Sequence, residues 1–129
     1  MNHRILNLTQ HSCTPEQSTS GVIDPTDEDK ARIAQLLTFD QLPTQTDLRQ
    51  RATQCAVLAS GLVRKYGCDA VLIGGAPFFM SHLESALRSF RVRFCYAFSS
   101  RVAEEQMQPD GSVKKVNVFR HVGFIWEDE

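Results

Sequence analysis

Hydrophobic positions along the chain change their period several times, and each change marks an element. Ile5-Leu6-Asn7-Leu8-Thr9 is a short β-rich run, read as a first strand that ends in the polar tip Thr9-Gln10-His11-Ser12. Thr14-Pro15-Glu16-Gln17 then shows a capping-box pattern with proline at the first helical position. The helix it starts must be brief, because Ser18-Thr19-Ser20-Gly21 is poor helix material. Val22-Ile23 reads as a short extended piece, and Asp24-Pro25-Thr26 opens a second helix. Asp27, Glu28 and Asp29 in its first turn favour the positive helix start, and Ile33, Leu36 and Leu37 form its inward set. Pro43 separates it from the longest helix, expected from about residue 46 to 66. There Leu48, Ala52, Cys55, Ala59, Leu62 and Tyr66 recur at helical steps, and Gly67 suits the left-handed residue that closes the helix.

Residues 69–73, Asp-Ala-Val-Leu-Ile, are a compact apolar run typical of a strand buried on both faces, ending in Gly74-Gly75-Ala76-Pro77. A helix follows with Phe79, Leu83, Ala86, Leu87 and Phe90 inward. Val92, Phe94, Tyr96 and Phe98 alternate along a further strand, with Ser99-Ser100-Arg101 at its end. Pro109-Asp110-Gly111-Ser112 is a strong turn signal between two β-leaning arms, residues 102–108 and 113–126, so the chain ends in a hairpin. The helix–strand alternation before it predicts one α/β domain over residues 1–129, with a parallel sheet and right-handed crossovers. The hairpin would extend that sheet along an antiparallel edge or reach outward.

Composition agrees with one globular domain: 129 residues, 42% apolar and 22% charged, with a formal net charge of −1. Charge is unevenly spread. Arg88, Arg91, Arg93 and Arg101 have no acid among them, while acids crowd at 24–29 and at the C-terminus. A nearly neutral chain with a local basic patch suits a small anionic ligand better than long nucleic acid or a membrane surface. Cys13, Cys55, Cys68 and Cys95 form no C-x-x-C pair. No apolar h-region opens the chain, and no run approaches the roughly 20 apolar residues that span a bilayer. Reduced thiols without an export signal place the expectation in the cytoplasm. Neither metal nor cofactor is expected, since none of His3, His11, His82 and His121 forms H-x-x-x-H with another. No G-x-S-x-G elbow is present.

In open parallel sheets ligands sit beyond the carboxyl ends of the strands. Three tips meet that rule: Thr9-Gln10-His11-Ser12, Gly74-Gly75-Ala76-Pro77 and Ser99-Ser100-Arg101. They offer backbone amides, hydroxyls, an amide side chain and a guanidinium, a set suited to phosphate or nucleotide recognition. Each is weak alone. Gly74-Gly75 lacks G-x-G-x-x-G and G-K-[ST] spacing, and serves equally as a tight strand-to-helix turn. In the last strand, Val116, Val118, Arg120 and Val122 share one face, and Lys115, Asn117, Phe119 and His121 the other. The polar and aromatic face could grip a base and a phosphate. The plainer alternative is a solvated edge strand whose lysines block aggregation.

The run from Tyr96 to Glu105, with Ser99-Ser100-Arg101 at its centre, then Pro109-Asp110-Gly111-Ser112-Val113-Lys114-Lys115 and Val118-Phe119-Arg120-His121-Val122-Gly123-Phe124, resembles the tail of small CRISPR-associated CARF-like proteins. Leu6-Asn7-Leu8-Thr9-Gln10-His11 with Thr14-Pro15-Glu16-Gln17 is similar to their opening strand and loop, whereas Gly74-Gly75-Ala76-Pro77 departs from their turn. The resemblance implies a Rossmann-like (CARF-like), mostly parallel sheet with flanking helices and a C-terminal β-hairpin. It implies a homodimer that binds a cyclic oligoadenylate, usually cyclic tetra-adenylate, in type III CRISPR signalling. Such proteins sequester the ring, or cleave it without metal to a 2′,3′-cyclic phosphate, lowering antiviral signalling. The matching positions are Thr9, Gln10 and His11, Ser99, Ser100 and Arg101, and Arg120 and His121.

Ring cleavage needs a ribose 2′-hydroxyl held in line with a phosphate, and positioning with charge stabilisation supplies most of the acceleration. Arg101 or Arg120 would neutralise developing charge, Ser99 or Gln10 would orient the hydroxyl, and His11 or His121 would carry the proton. The expected catalytic set is thus Gln10, His11, Ser99 and Arg101. The expected binding set is Thr9, Gly74, Gly75, Ala76, Ser100, Arg120 and His121. Two other classes fit the same elements: a non-catalytic phage or prophage protein-interaction module, and a nucleotide-handling enzyme such as a nucleoside transferase.

Overall fold

Nine elements succeed one another in the computed structural model, which describes residues 3–128. They are β1 (Ile5–Asn7), α1 (Pro15–Thr19), β2 (Val22–Ile23), α2 (Asp27–Leu37), α3 (Gln45–Lys65), β3 (Ala70–Leu72), α4 (Pro77–Ser89), β4 (Phe94–Met107) and β5 (Val113–Trp126). The strands form one mixed five-stranded sheet in the order β2-β1-β3-β4-β5. β1 pairs in parallel with β2 and β3, and β3 in parallel with β4. β4 and β5 pair antiparallel, from Cys95 opposite Trp126 to Met107 opposite Val113.

Threonine starts the first three helices. Thr14 accepts from the Gln17 amide at 3.1 Å while the Gln17 side chain accepts from the Thr14 amide at 3.0 Å, the reciprocal cap its spacing predicts. Thr26 caps α2, and Thr44 caps α3 in a second box with Asp47. That box starts α3 at Gln45, one residue earlier than the apolar repeat alone locates it, because the cap precedes the first buried residue, Leu48. Gly67 has φ +63° and closes the helix as expected. Phe90, expected inward, is instead the C-cap of α4 and is exposed.

Two apolar clusters sandwich the sheet. Leu6, Leu8, Val71, Ile73 and Phe94 pack against Ile33 and Leu37 of α2, the buried stripe of α3, and Phe79, Leu83 and Leu87 of α4. On the opposite face, Ile5, Val22, Ala70, Leu72, Cys95 and Trp126 form a smaller cluster with Cys13 and Phe124 packed on it. α1 contributes no buried residue there. α2 also buries a charge. The Asp29 carboxylate accepts from Lys65 Nζ at 2.7 Å and Tyr66 Oη at 2.6 Å, tying α2 to the end of α3. Those two bonds, with the nearby Lys65 and Arg32 charges, hold the Asp29 carboxyl below the usual carboxylate range against the opposing effect of burial.

The hairpin differs from its sequence reading in one respect. Ser99, Ser100 and Arg101 do not end a strand: β4 continues unbroken from Phe94 to Met107, because no breaker falls between them. They sit inside the ladder opposite His121, Arg120 and Phe119, just past a bulge at Phe98/Ser99. The turn forms as expected. Gly111 has φ +86°, and Asp110 Oδ1 accepts from the Ser112 amide and hydroxyl at 2.9 and 2.6 Å.

Candidate functional site

The loop that leaves β1 is shaped by a buried side chain. Asn7, only 2% exposed, turns its amide toward residues 9–13. Its Nδ2 donates to the His11 carbonyl at 2.6 Å and to Asp24 Oδ1 at 2.8 Å, and its Oδ1 accepts from the Thr9 amide at 3.0 Å and hydroxyl at 2.7 Å. Asp24, entering from beyond β2, accepts in turn from the Cys13 amide at 3.1 Å. Burial opposes its charge, yet the bonds from Asn7 and Cys13, with Lys30 at 3.9 Å, hold its carboxyl below the usual range. Lys30 Nζ also donates to Ser12 Oγ at 2.9 Å. The loop is therefore fixed from below, and Gln10 and His11 stand exposed on its rim.

Facing it is the turn from β3 into α4. Gly75 has φ +154°, a conformation that disfavours side chains, and a Cβ there would meet Met80 Cε at 3.4 Å. The N-cap of α4 is Ala76, which makes no side-chain cap bond, and Pro77 supplies the first helical residue. Of the four helices among the described residues, this one alone starts without a threonine cap; Pro77 carries no amide N–H, and the Phe79 amide already donates to the Ala76 carbonyl at 2.9 Å. A third wall comes from Tyr96 and Ala97 of β4. The Tyr96 hydroxyl donates to Glu84 Oε2 at 2.5 Å; burial and this bond push its pKa well above the ordinary phenol value. Between the walls lies a cavity of about 440 Å³, lined by Thr9, Gln10, His11, Ser12 and Gln17 on one side and Ile73, Gly74 and Gly75 on the other. That volume falls in the range of about 300–1,000 Å³ typical of small-molecule sites.

The structure separates the expected residues into two groups. Thr9, Gln10, His11, Gly74 and Gly75 line the cavity, and Ala76 packs behind them against the core. Ser99, Ser100, Arg101, Arg120 and His121 lie on the hairpin and do not line it. Arg120 is engaged by Glu104 and lies 3.6 Å from Glu16 of α1. Arg101 lies over the Phe119 ring, 5.6 Å from its centroid. The His121 ring packs tilted against Phe124, centroids 4.8 Å apart, with both ring nitrogens buried and without a hydrogen-bond partner among the described residues. Asn7, Asp24, Gln17 and Tyr96 escape a sequence reading. Asn7 alone leaves a trace, as the single polar residue within an apolar strand run.

A larger groove, about 800 Å³, lies between the end of α2 and the start of α3, away from the strand tips. Its arginine, Arg51, already donates to the Thr38 carbonyl and lies over the Phe39 ring at 4.4 Å. Among the described residues, no group of three or more His, Cys, Asp or Glu side chains is placed to hold a metal ion. No helix among them is long and apolar enough to cross a membrane.

Comparison with curated proteins and with solved structures gives no match. A family model does match, over residues 3–125, and it spans the described elements from β1 to all but the last residue of β5; the chain belongs to the Uncharacterized protein MJ1673 family.

Proposed function

We propose that the cavity between the β1 and β3 tips binds the ribose-phosphate of a nucleotide ligand, and that the ligand is a cyclic oligonucleotide of the cyclic tetra-adenylate class. The observation that carries this is the meeting of a rigid, polar β1 loop with the Gly74–Gly75 turn, which leads into α4, across one cavity. A glycine turn at a strand tip lets the backbone approach a phosphate closely, and Thr9, Gln10 and Ser12 supply neutral donors and acceptors for ribose hydroxyls. The strand order supports the same location. It is the order of a doubly wound, Rossmann-like sheet with its last strand reversed, and the switch point of that order lies between β1 and β3. The sequence resemblance supplies the cyclic character of the ligand. Free cysteines fit a reducing compartment, so we place the protein in the cytoplasm.

Binding needs no more than these groups. Cleavage adds one step: the ribose 2′-oxygen attacks phosphorus, the bond to the 5′-oxygen breaks, and a 2′,3′-cyclic phosphate forms. His11 on the rim takes the 2′ proton, and the departing 5′-oxygen takes one back. The test is titration of the full chain with cyclic tetra-adenylate by calorimetry, followed by chromatography of the ligand with and without EDTA. Expected is saturable binding that Gln10→Ala weakens about five- to tenfold, the worth of one hydrogen bond. Linear product that persists in EDTA assigns turnover, and intact ligand assigns sequestration. Absence of binding to cyclic di-, tri-, tetra- and hexanucleotides alike removes the proposal.

A further inference from the structure

The hairpin leaves the sheet before it ends. β3 stops opposite Cys95, so from Ala97 to Met107 β4 pairs only with β5, and no third strand among the described residues meets its other edge. The result is a long two-stranded ribbon with both faces wet: of its residues from 97 to 107, all but Ser100 and Glu104 are exposed. Phe98 is 48%, Met107 78%, Phe119 66% and Val122 62% exposed. A two-stranded ribbon is marginal alone in water, and a long open backbone edge invites pairing.

The two edges of the ribbon differ in charge. β5 carries Lys114, Lys115 and Arg120 and no acid, so two β5 edges would repel. β4 carries Arg101, Glu104 and Glu105, both signs on one edge. Two β4 edges related by a two-fold axis through Ala103 place Arg101 of each copy opposite Glu105 of the other. Moving the axis to Val102 sets Arg101 against Ala103, and moving it to Glu104 sets two glutamates face to face. Neither Arg101 nor Glu105 makes an ion pair within the chain among the described residues: Arg101 lies over the Phe119 ring, and Glu105 faces Lys115 across the ladder. Charge therefore selects the edge, and it selects the register.

We infer that the exposed β4 edge is the docking surface for a second copy of this chain, joined antiparallel about Ala103 with reciprocal Arg101–Glu105 pairs. Pairing converts the two ribbons into one continuous four-stranded arm and covers the open backbone edge. The inference does not depend on what the cavity binds.

Sedimentation of the full chain at about 100 μM, a concentration that reveals even weak association, tests it. Expected is a species of twice the 14.5 kDa chain mass. Arg101→Glu and Glu105→Arg should each weaken association at least tenfold, by setting like charges opposite. An equimolar mixture of the two variants should restore the dimer, since every facing pair is then opposite in sign. Lys114→Glu, on the other edge and opposite Gln106, should leave association unchanged. A wild-type monomer, a mixture that stays monomeric, or a dimer lost with Lys114→Glu each overturns the proposal.

Discussion

Asn7 shows how much one polar side chain can organise. It sits in the middle of an apolar sheet, where an unsatisfied amide would be costly, yet its contacts satisfy both ends of the group. Asn7→Ala would leave Asp24 and the Thr9 amide without their buried partner. The expected loss is about 1–3 kcal/mol of stability, read as a lower midpoint in urea, with weaker ligand binding at the cavity. Gly21 is a second site of this kind, for steric reasons. Its φ is +106°, and a Cβ there would lie 2.2 Å from the His3 carbonyl oxygen. Backbone must move to admit any side chain, so Gly21→Ala should cost about 1–3 kcal/mol or more, and unchanged thermal melting would refute this.

At the scale of elements, the junction of α2 with α3 carries the clearest pH dependence. The folded state holds Asp29 ionised, with its pKa depressed below the unfolded value of about 3.9. The stability this confers is present above that unfolded value and is lost as pH falls through the folded one. Melting temperature should therefore drop as pH falls below about 4, and Asp29→Asn should be less stable at neutral pH but flatter across the acid range. The hairpin has the opposite character. Its outer half has few buried contacts, so its amides should exchange with solvent far faster than those of β1 and β3 in dilute protein. Their protection should rise with protein concentration as copies pair, which hydrogen exchange at two concentrations resolves. The sequence could mark both arms and the turn, but periodicity does not say where a strand stops having neighbours. That is why Ser99 and Arg101 read as a tip when they lie in mid-ladder.

For the molecule as a whole, burial sorts the thiols. Cys55 and Cys95 lie in the two apolar clusters, and burial pushes each pKa up to about 12. They should stay unreactive toward an aromatic disulfide until the protein unfolds, while the half-buried Cys13 and Cys68, whose thiols burial also pushes up, react in the native state more slowly than a free thiol. Four equivalents released at once from folded protein would contradict the packing. The same two clusters explain the sheet's order. The face under α2, α3 and α4 holds the larger core, and the face closed by Trp126 and Phe124 holds the smaller one, so the base of the hairpin is structural while its far end is free.

Local patterns along the chain determined the helices, their threonine caps and the hairpin turn, because caps, amphipathic stripes and turn residues act within a few positions of each other. They also marked Thr9, Gln10 and His11 with Gly74 and Gly75 as strand-tip residues. Only the tertiary structure brought those two tips to one cavity, buried Asn7 and Asp24 beneath the loop, and set Ser99, Arg101, Arg120 and His121 apart on the ribbon. Such pairings join residues far apart in sequence, and they follow from strand order and burial rather than from local periodicity.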